Sequence, residues 1–224
     1  MKKKAIVLLS GGLDSAATLY YAKSKGYDCA CLIFDYGQRH KREVESAKRI
    51  ARSCAADYRV VKFSLPWKGS ALLDGKIPIP KKRTPREMKK GIPITYVPAR
   101  NTIFLSFAAS YAEAMGARAI FIGANAVDFS GYPDCRPEYY EAFRKLIRRG
   151  TKAGVEKKQI KVFTPLIDKT KAQIIRMGMR LRVPYEYTWS CYSGGKRPCL
   201  KCDSCMLRAK GFSEAGLADP LIKR

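Results

Sequence analysis

Ala5-Ile6-Val7-Leu8-Leu9-Ser10-Gly11-Gly12-Leu13-Asp14-Ser15 is the stretch whose reading decides the fold. Residues 5–9 are an apolar run of strand length. Residues 15–25 read as a helix that ends near Gly26, a C-cap candidate. Between them, Gly11 and Gly12 allow a tight turn and let an anion approach the main chain. The helix start aims unpaired N–H groups and its positive dipole end at the same point. Ser10 and Ser15 add hydroxyl donors. Asp14 would repel a phosphate unless it caps the helix or pairs with a cation, magnesium among them. A bare Ser-Gly-Gly could be an ordinary strand-to-helix turn with Ser or Asp as N-cap. The full string, in this setting, favours phosphate binding. It is neither a Walker A loop, since it lacks the Lys, nor a GxGxxG turn.

Working outward, strands are expected at 29–34, 59–63, 119–122 and 160–163, and helices at 43–53, 101–115, 137–149 and 170–177. Strands and helices alternate, which predicts an α/β fold: a parallel, twisted sheet with helices on both faces. Ligands of such sheets sit past the C-terminal strand ends. Residues 66–98 break the rhythm with Pro66, Pro78, Pro80, Pro85, Pro93 and Pro98, and read as a long irregular insertion. From about residue 188 the texture turns Cys-rich and Gly-rich. The expected division is therefore a nucleotide-binding unit over 1–187 and a small four-cysteine module over 188–224.

The 224 residues suit one α/β domain with a small appendage, large enough to fold without disulfides. No apolar run reaches the roughly 18 residues of a membrane span. Residues 5–9 are too short for a signal-peptide core, so a cytoplasmic location is expected. There the eight cysteines suggest metal or chemistry rather than disulfides. The one histidine, His40, rules out metal sites built on several histidines and leaves little room for a Ser-His-Asp triad. The net charge of +25 implies an anionic partner or a solvated, heat-adapted surface. It is uneven: residues 144–161 hold eight basic residues against Glu156, and residues 68–90 hold eight against Asp74 and Glu87.

Cys199, Cys202 and Cys205 form CxxCxxC, with Cys191 eight positions upstream. Four thiolates in one short segment suit tetrahedral zinc in a closed, structural site. An iron–sulfur cluster is the competing occupant, and small core cysteines are the bland alternative. Cys29, Cys31 and Cys54 lie in strand and helix patterns and read as core.

The loop 10–15 is similar to the pyrophosphate-binding loop of the N-type ATP pyrophosphatases, which adenylate a substrate oxygen and release pyrophosphate. Further strings are Asp35-Tyr36-Gly37-Gln38-Arg39-His40, Tyr96-Val97-Pro98-Ala99-Arg100-Asn101, Asp128 with residues 130–136, Ser190-Cys191-Tyr192 and the segment 198–205. Together they resemble the QueC family over residues 5 to about 213. The insertion 66–98 is not matched, and the spacing from Cys191 to Cys199 is slightly compact.

The resemblance implies a Rossmann-like sheet of the adenine nucleotide alpha hydrolase kind. It implies conversion of 7-carboxy-7-deazaguanine and ammonia to the 7-cyano compound, with two ATP cleaved to AMP and pyrophosphate. Leu8, Leu9, Ser10, Gly11, Gly12, Leu13, Asp14, Ser15 and Phe34 are then the ATP and magnesium site. Asp14, Ser15, Arg100, Lys169 and His40 are the catalytic candidates. Asp128, Tyr132, Asp134 and Arg136 are the candidates for the deazapurine pocket. His40 either serves a nucleophile or packs at a helix end, and Cys135 is either a nucleophile or pocket wall. Cys191, Cys199, Cys202 and Cys205 hold zinc. A homodimer is expected, with neither a membrane nor tRNA as direct substrate. Two rivals share features with this reading. One is a tRNA-modifying adenylating enzyme; the other is a zinc-containing nucleic-acid binder with a decayed ATP site.

Overall fold

A computed structural model describes residues 3–88, 90–127 and 131–222. Its five strands are all parallel: β1 Lys3–Leu8, β2 Tyr27–Asp35, β3 Asp57–Lys62, β4 Ala119–Phe121 and β5 Lys161–Phe163, in the order β3-β2-β1-β4-β5. The helices are α1 Leu13–Ser24, α2 Arg42–Ser53, the single turn α3 Pro85–Met88, α4 Arg100–Met115, α5 Pro137–Gly150, the short α6 Lys152–Val155, α7 Lys171–Arg180 and α8 Asp203–Glu214.

Strand β1 explains why both sheet faces are covered. Ala5 and Val7 turn to one core with Ala16, Ile50, Ile174 and Phe212, while Ile6 and Leu8 turn to the other with Leu105, Ile120 and Tyr140. Helices α1, α2, α7 and α8 thus cover one face, and α4 and α5 the other. Apolar residues at every strand position are what a doubly covered parallel sheet needs. The chain adds β2 and β3 outward from β1, then crosses back to place β4 on β1's other side. The connections after β1 and β4 therefore part, and a crevice opens above their C-terminal ends.

The expected elements are present, with ends displaced by one to three residues at most positions. Helix α8 was not among them, because the Cys and Gly texture of the segment masks its start. Its buried Phe212 packs edge-on against Tyr185 at 5.7 Å, so residues 188–222 share a core with the sheet's helices. Arg208, also buried, is held by both oxygens of Asp219 at 2.7 and 2.8 Å and by Tyr185 O at 3.1 Å.

The insertion is irregular, as expected, but it is tied down. The Arg39 guanidinium donates to the carbonyls of Ala71, Gly75 and Ile77 at 3.0–3.2 Å. Further on, Lys81 bridges Cys202 and Arg83 pairs with buried Asp203. The insertion thereby straps the loop after β2 to the cysteine module.

Candidate active site

Two glycines bring the walls of the crevice together. Gly11 has φ +85°, and a Cβ there would lie 2.2 Å from Glu43 O, so the loop rests directly on the first turn of α2. At Gly123, after β4, a Cβ would lie 2.9 Å from Thr18 Oγ1. Within the loop, Ser15 Oγ donates to Gly12 O at 3.0 Å and accepts from Ser10 N at 3.2 Å. These bonds preform a cradle at the start of α1, where N–H groups and the helix dipole favour an anion.

Asp14 stands in this cradle with its charge already balanced. Lys171 Nζ donates to its two carboxylate oxygens at 2.9 and 2.7 Å. Lys171 is the first residue of α7, fixed by a capping box between Thr170 and Gln173. Lys169 faces elsewhere: its ammonium pairs with exposed Asp168 at 3.4 Å, and it does not line the cleft. Of the two lysines, the structure brings Lys171 to the loop.

The cleft holds about 300 Å³ and runs from the loop to a chamber bounded by Tyr36, Glu43, Arg100, Tyr132 and Tyr192. Arg100 opens α4, and its Nη1 donates to Tyr36 OH at 3.3 Å. The Tyr132 hydroxyl shares hydrogen bonds with Thr95, at 2.8 Å, and with Tyr192. Burial raises the Glu43 carboxyl to about 7, with Arg100 opposing the shift. Cys135 also lines the chamber, but burial pushes its thiol up to about 12. It is therefore protonated at neutral pH, which disfavours a thiolate nucleophile. Phe34 lies in an aromatic stack on Phe104, centroids 4.0 Å apart, and joins Leu8, Leu9 and Leu13 in lining the cleft.

The other pocket candidates divide. Asp134 is buried, and its Oδ2 accepts from Asn101 N at 3.1 Å in the first turn of α4. It holds the helix that presents Arg100 and does not line the cleft. Arg136 is exposed and does not line the cleft; it faces a surface depression beside Glu138 that shares Tyr132 and Cys135 with the cleft. Asp128 lies outside the described residues. His40 lines the cleft and packs under Gly194, where a Cβ would meet its ring at 2.3 Å. Burial holds its pKa below the usual histidine value.

The Sγ atoms of Cys191, Cys199, Cys202 and Cys205 all lie within 4.8 Å of one another. A tetrahedral zinc–thiolate site, with bonds of about 2.3 Å, spaces its sulfurs by roughly 3.8 Å, so the four fit one metal ion. Backbone N–H groups of Ser193 and Cys199 donate to Cys191 Sγ at 3.4 and 3.3 Å, an environment that favours thiolate. The module reaches the cleft through Trp189, whose N donates to Gly11 O at 2.9 Å.

The family described as "Queuosine biosynthesis protein QueC" matches residues 4–216. The chain belongs to the QueC family. Among its relatives, the 7-cyano-7-deazaguanine synthase of Nostoc punctiforme is 54% identical over 221 residues, covering 98% of this chain and 99% of that one. The enzyme of the same name from Thermoplasma acidophilum is also 54% identical, over 98% of this chain and 92% of its own. Among solved structures, the NMN synthetase of Francisella tularensis superposes with a TM-score of 0.52 at 16% identity, covering 97% of this chain and 78% of that one. That likeness concerns the fold. Among the described residues of this QueC protein, no helix is long and apolar enough to cross a membrane.

The reading of the sequence alone missed Lys171 and Glu43. The capping box Thr170-Lys171-Ala172-Gln173 was the available signal for Lys171, since it marks a helix start at a strand-end loop. Glu43 carried none: it sits in a charged helix whose approach to Gly11 is purely tertiary.

Proposed function

We propose that this QueC member is a 7-cyano-7-deazaguanine synthase that joins ammonia to 7-carboxy-7-deazaguanine at the expense of two ATP. The observation that carries this is a cleft at the β1/β4 switch point, joining the loop 10–15 to a chamber that, among the described residues, is bounded by Arg100, Glu43, Tyr36, Tyr132 and Tyr192.

In this account Ser10, Gly11, Gly12 and Ser15 hold the β- and γ-phosphates, and their N–H and hydroxyl groups stabilise departing pyrophosphate. Leu8, Leu9, Leu13 and Phe34 form the apolar wall of the nucleotide site. Magnesium arrives with ATP and neutralises phosphate charge; Asp14 is the residue that would hold it. Arg100 pairs with the substrate carboxylate, Tyr132 borders the deazapurine, and Asp128 is assigned to the deazapurine by the family resemblance alone.

The substrate carboxylate attacks the α-phosphorus and pyrophosphate leaves. Ammonia then attacks the acyl carbon, AMP departs with one substrate oxygen, and the amide remains. The amide oxygen attacks a second α-phosphorus. Loss of AMP with that oxygen, and of the two N–H protons, gives the nitrile. Glu43, with its pKa near neutrality, is placed to take up protons released in these steps. Asp134 acts as a positioning residue for Arg100, and His40 as a packing contact between the cleft and the cysteine module. Lys171 balances the charge of Asp14 at the loop, in place of the catalytic candidate Lys169. The four cysteines hold a structural zinc. Exposed Trp67, Ile92 and Ile94 on the insertion are surface that a second copy would cover in a homodimer.

The test is to incubate metal-replete protein with ATP, magnesium, ammonium and 7-carboxy-7-deazaguanine and follow products by chromatography and mass. Nitrile with two AMP per turnover supports the reading. AMP released only when tRNA is supplied would assign the loop correctly and the substrate wrongly.

A further inference from the structure

Strand β2 runs on past the end of β1. The two pair in register as far as Leu8 and Leu32, and Leu9 N donates to Leu32 O at 2.9 Å. The chain of β1 then turns off into the loop 10–15, while β2 continues to Asp35. Main-chain groups of successive residues face opposite neighbours along a paired strand. Leu32 O turns to β1, and Asp35 O turns to β3, where it accepts from Phe63 N at 3.0 Å. Phe34 O therefore faces the side that β1 has left. The Tyr36 N–H lies beside it, because one carboxamide reaches both groups. Phe34 and Tyr36 both line the cleft.

That carboxamide belongs to Gln38, which also lines the cleft. Its Nε2 donates to Phe34 O at 3.1 Å, and its Oε1 accepts from Tyr36 N at 2.8 Å. The partners fix the amide's orientation, since one is a carbonyl and the other an N–H. Gly37, at φ +82°, makes the turn that folds Gln38 back onto the strand end. The Watson–Crick edge of adenine carries the same two groups side by side, the 6-amino donor and the N1 acceptor. A carbonyl and an N–H two residues on can read that edge. Hypoxanthine, with an O6 acceptor and an N1 donor, meets both with the wrong polarity. The backbone of this turn is held, because Arg39 N donates to Leu72 O at 2.9 Å and the Arg39 guanidinium is tied to the insertion. Displacement of Gln38 is thus a turn of its side chain alone.

We propose that Gln38 is an internal competitor of ATP: its carboxamide and the adenine edge contend for Phe34 O and Tyr36 N. The affinity for any adenine nucleotide is then lowered by the share of protein in which Gln38 holds the two groups. This assignment rests on the reading of the cleft as the nucleotide site. On the two-ATP reaction proposed above, the same competition helps AMP to leave before the second ATP enters.

The test is calorimetric binding of ATP, AMP, inosine triphosphate and inorganic tripolyphosphate, with magnesium, to the full-length, metal-replete protein and to Gln38→Ala. Gln38→Ala should tighten ATP and AMP by about three- to thirtyfold and leave the other two ligands within about twofold. Unchanged tripolyphosphate binding also shows that the variant is folded and its loop intact. The Gln38 side-chain amide signal, assigned by its loss in the variant, should move in the ¹⁵N spectrum of the wild type when ATP is bound. With tripolyphosphate bound it should stay in place. Weaker or equal ATP binding by the variant would overturn the assignment. So would equal tightening of all the ligands, or an amide signal unmoved by bound ATP. Failure of the wild type to bind ATP would overturn the nucleotide reading together with it. Failure to form nitrile with ATP binding intact would bear on the deazapurine reading instead.

Discussion

Lys171 Nζ grips both carboxylate oxygens of Asp14, at 2.7 and 2.9 Å, across 157 residues of sequence. The pair explains how an acid can stand in a loop built for anions. With Lys171 present, the cradle is not negative before nucleotide arrives; without it, Asp14 faces the phosphates alone.

Lys171→Ala should therefore raise the KM for ATP and lower kcat/KM by about 10- to 100-fold, the equivalent of about 1.4 to 2.7 kcal/mol. The pair is partly exposed, so the loss in folding stability should be smaller, about 1 kcal/mol. Lys169→Ala, which removes only a surface pair, should leave kcat/KM within about twofold. Pyrophosphate release kinetics on the two variants check this.

Asp134 makes a different prediction. Its carboxylate accepts from Asn101 N, one residue past Arg100. Asp134→Ala removes a buried acceptor at a helix start and should cost about 1–2 kcal/mol in denaturant unfolding. It should also raise the KM for the deazapurine more than that for ATP, because Arg100 loses its support. Equal effects on both substrates would argue against that division.

Glu43 ties stability to pH. Its folded pKa is raised from 4.5 to about 7 by burial, so the fold favours the protonated carboxyl. That contribution is fully present below the unfolded value and is lost as pH rises through about 7. Between pH 4.5 and 7, Glu43→Gln should therefore gain stability relative to the wild type, by about 1–3 kcal/mol in total. Urea midpoints of the nucleotide-free proteins across that window supply the comparison.

Removal of the cysteine-bound metal should reach the nucleotide site. Because Trp189 N–H bonds Gly11 O, loosening residues 188–222 frees one side of the loop. Chelation, or Cys199→Ser, should abolish ATP binding and red-shift the fluorescence of buried Trp189 together. Metal loss with ATP binding intact would separate the two.

These residues also show what a sequence can express. The loop 10–15, its flanking strand and helix, and CxxCxxC are local patterns whose spacing carries their chemistry. The parallel sheet was legible because the apolar runs at 5–9 and 29–34 lie between turn signals. Glu43, Lys171 and Asp134 were not legible in their roles. Each acts through a residue more than thirty positions away, and nothing in its neighbours records the partner. Helix α8 was obscured because its apolar stripe is short and begins inside the cysteine cluster.

Oxygen tracing tests the central claim, that one cleft adenylates first the acid and then the amide. Substrate labelled with ¹⁸O at both carboxylate oxygens would be turned over with ATP and ammonium, and AMP analysed by mass. The account predicts two AMP per nitrile, each carrying one ¹⁸O. Unlabelled AMP, with the label found in water or free phosphate, would contradict it.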